Sequence, residues 1–186
     1  MKYATQKIAY WYFAAAMILF VVQVAVGALA GAVYVFPNFL ADIVPFNILR
    51  MIHTNALIVW TLMGFFGTAY YLIPEEAERD IESPTLAYIQ LGLFMFGALA
   101  AVIGYLFGIH EGREFLEQPL WIKIAITVVA LIFLYNVSLT VLKGRKTAIS
   151  GVLLLGLWGT AVFWLFAFYD PANLSVDKLY WWYVVH

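Results

Sequence analysis

The sequence predicts an all-α membrane protein with five transmembrane helices and the start of a sixth. Composition is the first ground for this: 65% of the 186 residues are hydrophobic, 11% are charged and the mean hydropathy is +0.90. So few charges cannot cover a water-facing surface. The second ground is the spacing of those charges. Residues 8–41, 51–74, 83–110, 124–142 and 147–169 contain no Asp, Glu, Lys or Arg, and each run can hold the roughly 20 residues that a crossing takes. The partner such a chain is built for is the lipid bilayer; nothing in it reads as a nucleic-acid-binding surface. With no cysteine, neither disulfides nor thiolate metal sites are available.

Taken in order, the first run follows Lys2 and Lys7, and Ala30-Gly31-Ala32 resembles a signal-peptide cleavage site. Its apolar core is longer than the roughly 7–15 residues of a typical signal sequence, so it reads as a retained helix. The second run is bounded by Pro74 and the third by Pro84, and Pro119 heads the fourth, positions that suit helix boundaries. The Lys143-Gly144-Arg145-Lys146 turn separates the fourth from the fifth. If the helices alternate from a cytoplasmic N-terminus, Lys2, Lys7, Arg79, Lys143, Arg145 and Lys146 fall inside, and Arg50, Arg113, Lys123 and Lys178 outside. Six cations against four favour that orientation under the positive-inside rule. The acidic stretch Glu75 to Glu82 is then also inside, which the rule tolerates. No internal repeat or linker interrupts the chain, so residues 1–186 read as part of one bundle.

The last run, Leu179 to His186, is entered from Asp177 and Lys178. Eight residues rise only about 12 Å as a helix, too little to cross, so the sequence reads as truncated within a single domain. Tyr180, Trp181, Trp182 and Tyr183 fit an interfacial aromatic belt without any cofactor.

Three places carry candidate chemistry. His53 lies early in the second helix, with Arg50 three residues before it on the same face. An imidazole with a cation one turn toward the surface suits a haem, the nitrogen ligating iron and the cation meeting a propionate. Leu57, Trp60, Gly64, Gly67 and Tyr71 continue that face, the glycines permitting close approach of a helix or a flat ligand. The plainer reading is that His53 hydrogen-bonds another helix while Arg50 snorkels to the interface. His186 falls at a similar depth to His53, so two metal centres in one layer are a second expectation. The third place is the loop His110-Glu111-Gly112-Arg113-Glu114-Phe115-Leu116-Glu117-Gln118-Pro119. Glu114 and Glu117 are three apart, so one helical turn would put both on one face, to bind a hard cation such as calcium or to pass protons. The alternative is a solvated polar loop, to which His110 is assigned; Asp177 and Lys178 by themselves read as boundary charges.

Five segments together resemble a known family. They are Arg50-Met51-Ile52-His53-x-Asn55-Ala56-Leu57-Ile58-Val59-Trp60, Tyr70-Tyr71-Leu72-Ile73-Pro74-Glu75-Glu76, Gly112 to Pro119, Val141 to Ser150, and Asp177-Lys178-x-Tyr180-Trp181-Trp182-x-Val184-Val185-His186. They are similar to the catalytic subunit of bacterial cytochrome-c-dependent nitric oxide reductases in the haem-copper oxidase superfamily, over the first two-fifths or so of a bundle of roughly a dozen helices.

The resemblance implies a part of the haem-copper oxidase bundle in the bacterial inner membrane. The activity it implies is the reduction of nitric oxide to nitrous oxide in respiratory denitrification. The electrons would come from a small membrane-anchored cytochrome c subunit. It implies His53 as an axial ligand of low-spin haem b, His186 as a ligand of a non-haem iron facing haem b3, and Glu114 at a calcium site with Arg113 beside it. Glu114, Glu117 and Asp177 would deliver protons from the outer side. The second haem b ligand, the haem b3 ligand and the remaining iron ligands would come from later helices, so these 186 residues alone should be inactive. The quinol-dependent relatives carry an extension before the first helix, and the chain's start almost directly on that helix favours the cytochrome-c type. Two other functions fit the residues: a short haem b-binding electron-transfer or assembly protein, and a cofactor-free membrane scaffold.

Overall fold

The computed structural model describes residues 2–40, 42–168 and 172–185, the last of them by backbone only. Among these residues the chain is helical and has no strand. The helices are α1 (Lys7–Val35), α2 (Phe46–Ala77), α3 (Pro84–Leu106), α4 (Leu120–Lys143), α5 (Ala148–Trp164) and α6 (Leu174–Val185). Short 3-10 turns precede α1 at Ala4–Gln6 and follow α5 at Leu165–Phe168. The five expected crossings are all present: α1 to α4, and α5 with its 3-10 turn, are long and apolar enough to span a membrane. Hydrocarbon offers the backbone no hydrogen bonds, so each apolar run must satisfy its own, and the helix does this.

The boundaries follow local chemistry, with one departure from expectation. Ser83 caps α3, its hydroxyl accepting from the Leu86 N–H at 3.3 Å, with Pro84 at the first helical position. Thr147 and Ser150 cap α5 reciprocally, each hydroxyl accepting the other's N–H, at 3.1 and 3.0 Å. Pro119 caps α4. Pro74, expected to close the second helix, lies inside α2, which runs three residues further and stops at Glu78 in the left-handed conformation. So late in the helix, the proline's missing N–H removes only one bond of the last turn.

The core is built where α1 to α5 meet. Phe66 and Tyr70 of α2 pack against Phe133 of α4 at ring separations of 4.6 and 5.5 Å, with Phe94 of α3 at 5.9 Å from Phe66. Gly67 lets α1 come close: a β-carbon there would lie 3.1 Å from the Phe13 ring. Since lipid is as apolar as the side chains, such packing and buried polar bonds hold the helices together. The Tyr12 hydroxyl donates to Ala87 O at 2.7 Å. Asn136 accepts from the Ser83 N–H and donates to Ser83 O, both at 2.8 Å, tying α4 to the α2–α3 turn. Beside it the Thr140 hydroxyl accepts from the Glu82 N–H, and the Arg145 N–H donates to Ala77 O at 2.8 Å. That end of the bundle is closed further by Lys143–Glu82 and Arg145–Glu78 ion pairs. The opposite end, where the α1–α2, α3–α4 and α5–α6 connections gather, carries the candidate chemistry.

Candidate functional site

His53 stands seven residues after Phe46, about 10 Å into α2. Its ring lies against α1, where Nδ1 is 2.9 Å from the backbone oxygen of Gln23. A carbonyl oxygen only accepts, so Nδ1 must carry the proton in this contact and Nε2 keeps its lone pair. That is the tautomer a metal-ligating histidine needs, fixed by its other nitrogen. The Gln23 side-chain amide lies 3.3 Å from Nε2 and must swing aside before iron can take that position. The approach is possible because residue 27 is glycine: a β-carbon there would fall 2.5 Å from the imidazole.

The α2 face below the histidine divides. Gly67 receives α1, whereas Gly64 has open space where a β-carbon would be, and Leu57 and Tyr71 are exposed. Axial donor, fixed tautomer and an open glycine together fit one side of a haem. The other described histidine, His110, sits exposed in the α3–α4 loop.

Around Arg50 the structure gathers charges distant in sequence. Its guanidinium Nη1 donates to Glu114 Oε1 at 3.0 Å, and Nη2 is 3.8 Å from Glu117 Oε1. Here the Arg50 partners are protein carboxylates, where a propionate was expected. Arg113 pairs with Asp177 at 3.0 Å. Asp177 is therefore more than a boundary charge: α6 begins three residues earlier, capped by Asn173, whose side chain accepts from the Ser175 N–H at 2.9 Å. Asp177 thus sits in the first turn, where the exposed N–H groups favour an anion. His186 and the expectation attached to it lie outside the described residues.

Glu114 and Glu117 do converge, but by a different route from the helical turn expected of their spacing. The segment is a loop, turned at Phe115, which takes a positive φ of 63°. Glu114 stays half exposed, and Glu117 is buried at 1% exposure. Asn55 Nδ2 donates to Glu117 Oε2 at 2.9 Å and to Met51 O at the same distance. Gln118 in turn donates to Asn55 Oδ1. The loop is locked behind by the Glu111 N–H, which donates to Glu117 O at 2.9 Å, and by a pair between Glu111 and Lys123. Trp181 also differs from a plain belt residue: its indole N–H donates to Glu114 O at 2.6 Å, fixing that backbone from α6.

Calcium fits these residues poorly by themselves. A calcium site takes 6–8 oxygens, and the described residues contain no group of three or more acidic, His or Cys side chains able to hold an ion. The cluster suits proton handling better, because it sets a buried carboxylate between a cation and a chain of amides.

The sequence pointed to neither Gln23 nor Gly27, and it assigned no role of their own to Asn55, Glu111, Gln118 and Lys123. Gln23 and Asn55 had a visible signal, each being an amide in an otherwise apolar run, where a polar side chain needs a partner.

Known proteins are similar to this chain. Residues 7–186 match the family described as Cytochrome C and Quinol oxidase polypeptide I. The chain is 52% identical to a nitric oxide reductase subunit of Stutzerimonas stutzeri, over all of this chain and 42% of that protein. It is 25% identical, over 70% of its length, to the cytochrome c oxidase subunit 1 homolog of Agrobacterium tumefaciens (strain T37), where it covers 24% of the relative. The chain thus spans less than half the length of either relative.

Proposed function

The chain belongs to the cytochrome c and quinol oxidase polypeptide I family, and from that premise we propose that it forms part of the catalytic subunit of a respiratory nitric oxide reductase. Family membership implies haem and iron, and a multi-subunit assembly in the bacterial inner membrane. The observation that carries the finer reading is the 52% identity along the whole chain to a nitric oxide reductase subunit. The gathering of Arg50, Glu114, Glu117, Arg113 and Asp177 at one end of the bundle, on the same side as His53, supports it.

In this reading His53 Nε2 would hold a haem b, which when bound would supply one-electron transfer toward the reaction centre. The Gln23 carbonyl holds the imidazole tautomer. Arg50, held by Glu114 in the structure, would offer its charge to the carboxylates of the haem. His186 would supply one ligand to the non-haem iron, and the ligand of haem b3 would come from elsewhere in the subunit. Glu114 is the one residue of this chain that would contribute to a calcium site, and these residues alone do not make one. The electron donor is a small membrane-anchored cytochrome c subunit.

The reaction joins two nitric oxide molecules with two electrons and two protons to give one nitrous oxide and one water. Both protons must reach the interior. Glu114 at the surface, then Glu117 behind it, with Asp177 and Arg113 alongside, form a path from the outer end. Arg50 keeps both carboxylates from repelling each other in the ionised state.

The test uses the full-length subunit in its assembled complex. His53→Ala should remove one haem b from the pyridine haemochrome while leaving the protein membrane-inserted. Glu117→Gln should keep the haem content and slow nitric oxide consumption by roughly 100-fold or more, the scale of a lost proton-transfer group. Full haem b content in His53→Ala would overturn the ligand assignment, and full turnover in Glu117→Gln the proton path.

A further inference from the structure

Asn55 stands two residues after His53, so the two side chains leave α2 on opposite sides. His53 lies against α1, whereas Asn55 is buried against the α3–α4 loop. A buried amide on a membrane helix needs partners, and Asn55 has them at both of its polar atoms. Its Nδ2 donates to Met51 O and to Glu117 Oε2, each at 2.9 Å, and its Oδ1 accepts from Gln118 Nε2.

Backbone carbonyls fix the direction of every bond in this chain. Gln118 Nε2 also lies 3.3 Å from Phe115 O, and a carbonyl only accepts, so the amino side of Gln118 must point that way. The Asn55 atom that meets it is then the oxygen. Met51 O demands the same from the other end, because only Nδ2 can donate to it. Glu117 Oε2 therefore meets an N–H that donates and cannot accept. A proton on Oε2 would point at that N–H with nothing to bond, so Oε2 is held as the acceptor oxygen in both states of the carboxyl group. Oε1 differs: it is buried, has no hydrogen bond among the described residues and lies 3.8 Å from Arg50 Nη2. Glu114 shares that guanidinium, and from α3 Tyr105 lies within range of the Glu117 charge.

We propose that Asn55 is a positioning residue of the proton path: by holding Oε2 of Glu117 as an acceptor, it reserves Oε1, on the Arg50 and Glu114 side, as the oxygen that gains and releases the proton. The carboxylate takes a proton on Oε1, Oε2 becomes the carbonyl oxygen, and loss of the same proton restores the carboxylate. The bond to Asn55 keeps the two oxygens from exchanging places between these events. The inference rests on the path assigned above to Glu117.

The test combines infrared spectroscopy and turnover of the full-length subunit in its assembled complex. Difference spectra recorded as the pH is lowered should contain a carboxyl C=O band that Glu117→Gln removes. With the proton on Oε1, the carbonyl oxygen is Oε2, and its bond from Asn55 lowers the frequency of that band. Asn55→Leu, close in size and without a donor, should move the band to higher frequency and slow nitric oxide consumption about tenfold, the effect of one hydrogen bond to a charged group. Asn55→Ser gives a second reading and should move the band the same way. A serine hydroxyl in a helix turns back to the carbonyl four residues before it, as Thr61 does to Leu57 O, and is too short to reach Glu117. In a Glu117→Gln background neither substitution should slow turnover further, whereas an effect through folding alone would add. A band unmoved in both variants, or a slowing that adds fully to that of Glu117→Gln, would overturn the role of Asn55 and leave the path standing. A wild-type complex without such a band, or full turnover in Glu117→Gln, would overturn the path and this proposal with it.

Discussion

A methyl group added at Gly27 would fall 2.5 Å from Cε1 and Nδ1 of His53 and 3.5 Å from Cγ. Helix backbone cannot yield by that much, so Gly27→Ala must push the imidazole off α1 and break its bond to the Gln23 carbonyl. Overpacking of this kind costs about 1–3 kcal/mol, and here it falls on the atom whose tautomer the haem needs. Gly27→Ala is therefore expected to lose haem b absorbance in reduced-minus-oxidised spectra of the complex. Gly31→Ala, one turn away with open space where its β-carbon would lie, is expected to keep it. Equal spectra from the two variants would refute the role assigned to Gly27. His53 itself was legible in the sequence, because an imidazole in an apolar run stands out. Gly27 was not, since one glycine among several in α1 gives no sign of which faces a ring on another helix.

At the scale of elements, the turns at the acidic end act as a clasp whose strength depends on pH. Asp80, between α2 and α3, accepts from the Thr5 N–H at 3.0 Å and from its hydroxyl at 2.7 Å, and these bonds hold its carboxyl below the ordinary range. Glu82 is held low as well, first by its hydrogen bond to Lys143 and then by Arg79. Both groups favour the ionised form in the folded state. Their stabilisation is complete above the ordinary carboxylate values of 3.8 and 4.5 and drains away as pH falls below these through the depressed folded values. Hydrogen exchange at the amides of residues 79–83 is expected to accelerate, relative to core amides, as pH drops from 5 toward 3. In Asp80→Asn this change should be smaller. A protection pattern independent of pH would contradict the clasp. The helices joined here were legible because hydropathy marks them directly. Their partners were not: Arg50 meets Glu114 and Asn136 meets Ser83 across 64 and 53 residues of chain, and no periodicity records which turn lies beside which. Even the Glu114 and Glu117 spacing misled, because the loop turns at Phe115 where a helix would have continued.

For the molecule as a whole, the pairing of charges sharpens the orientation that their simple count suggested. Of the four cations assigned to the outer end, Lys123 is buried at 2% exposure against Glu111, Arg113 is mostly buried against Asp177, and Arg50 is shared by Glu114 and Glu117. Lys178 is exposed and lies 5.3 Å from the Trp181 ring centroid. At the other end Lys143, Arg145 and Lys146 are all exposed around one tight turn, although Lys143 and Arg145 also have acidic partners. Lysine and arginine set orientation whereas acids contribute little, and a cation already buried with its counter-ion in the folded loop is a weak anchor for the headgroups. We propose on this ground that the exposed turn after α4 faces the cytoplasm and that the Arg50, Glu114 and Glu117 cluster opens to the outer side, from which the proposed protons would arrive. These 186 residues contain no cysteine, so introduced thiols report each end cleanly in a cysteine-free background of the full subunit. His110→Cys, in the exposed α3–α4 loop, is expected to react with a membrane-impermeant maleimide in intact spheroplasts. Lys146→Cys should react only after the membrane is opened. The reverse pattern would invert the bundle, and the carboxylate path would then have to draw its protons from the cytoplasm.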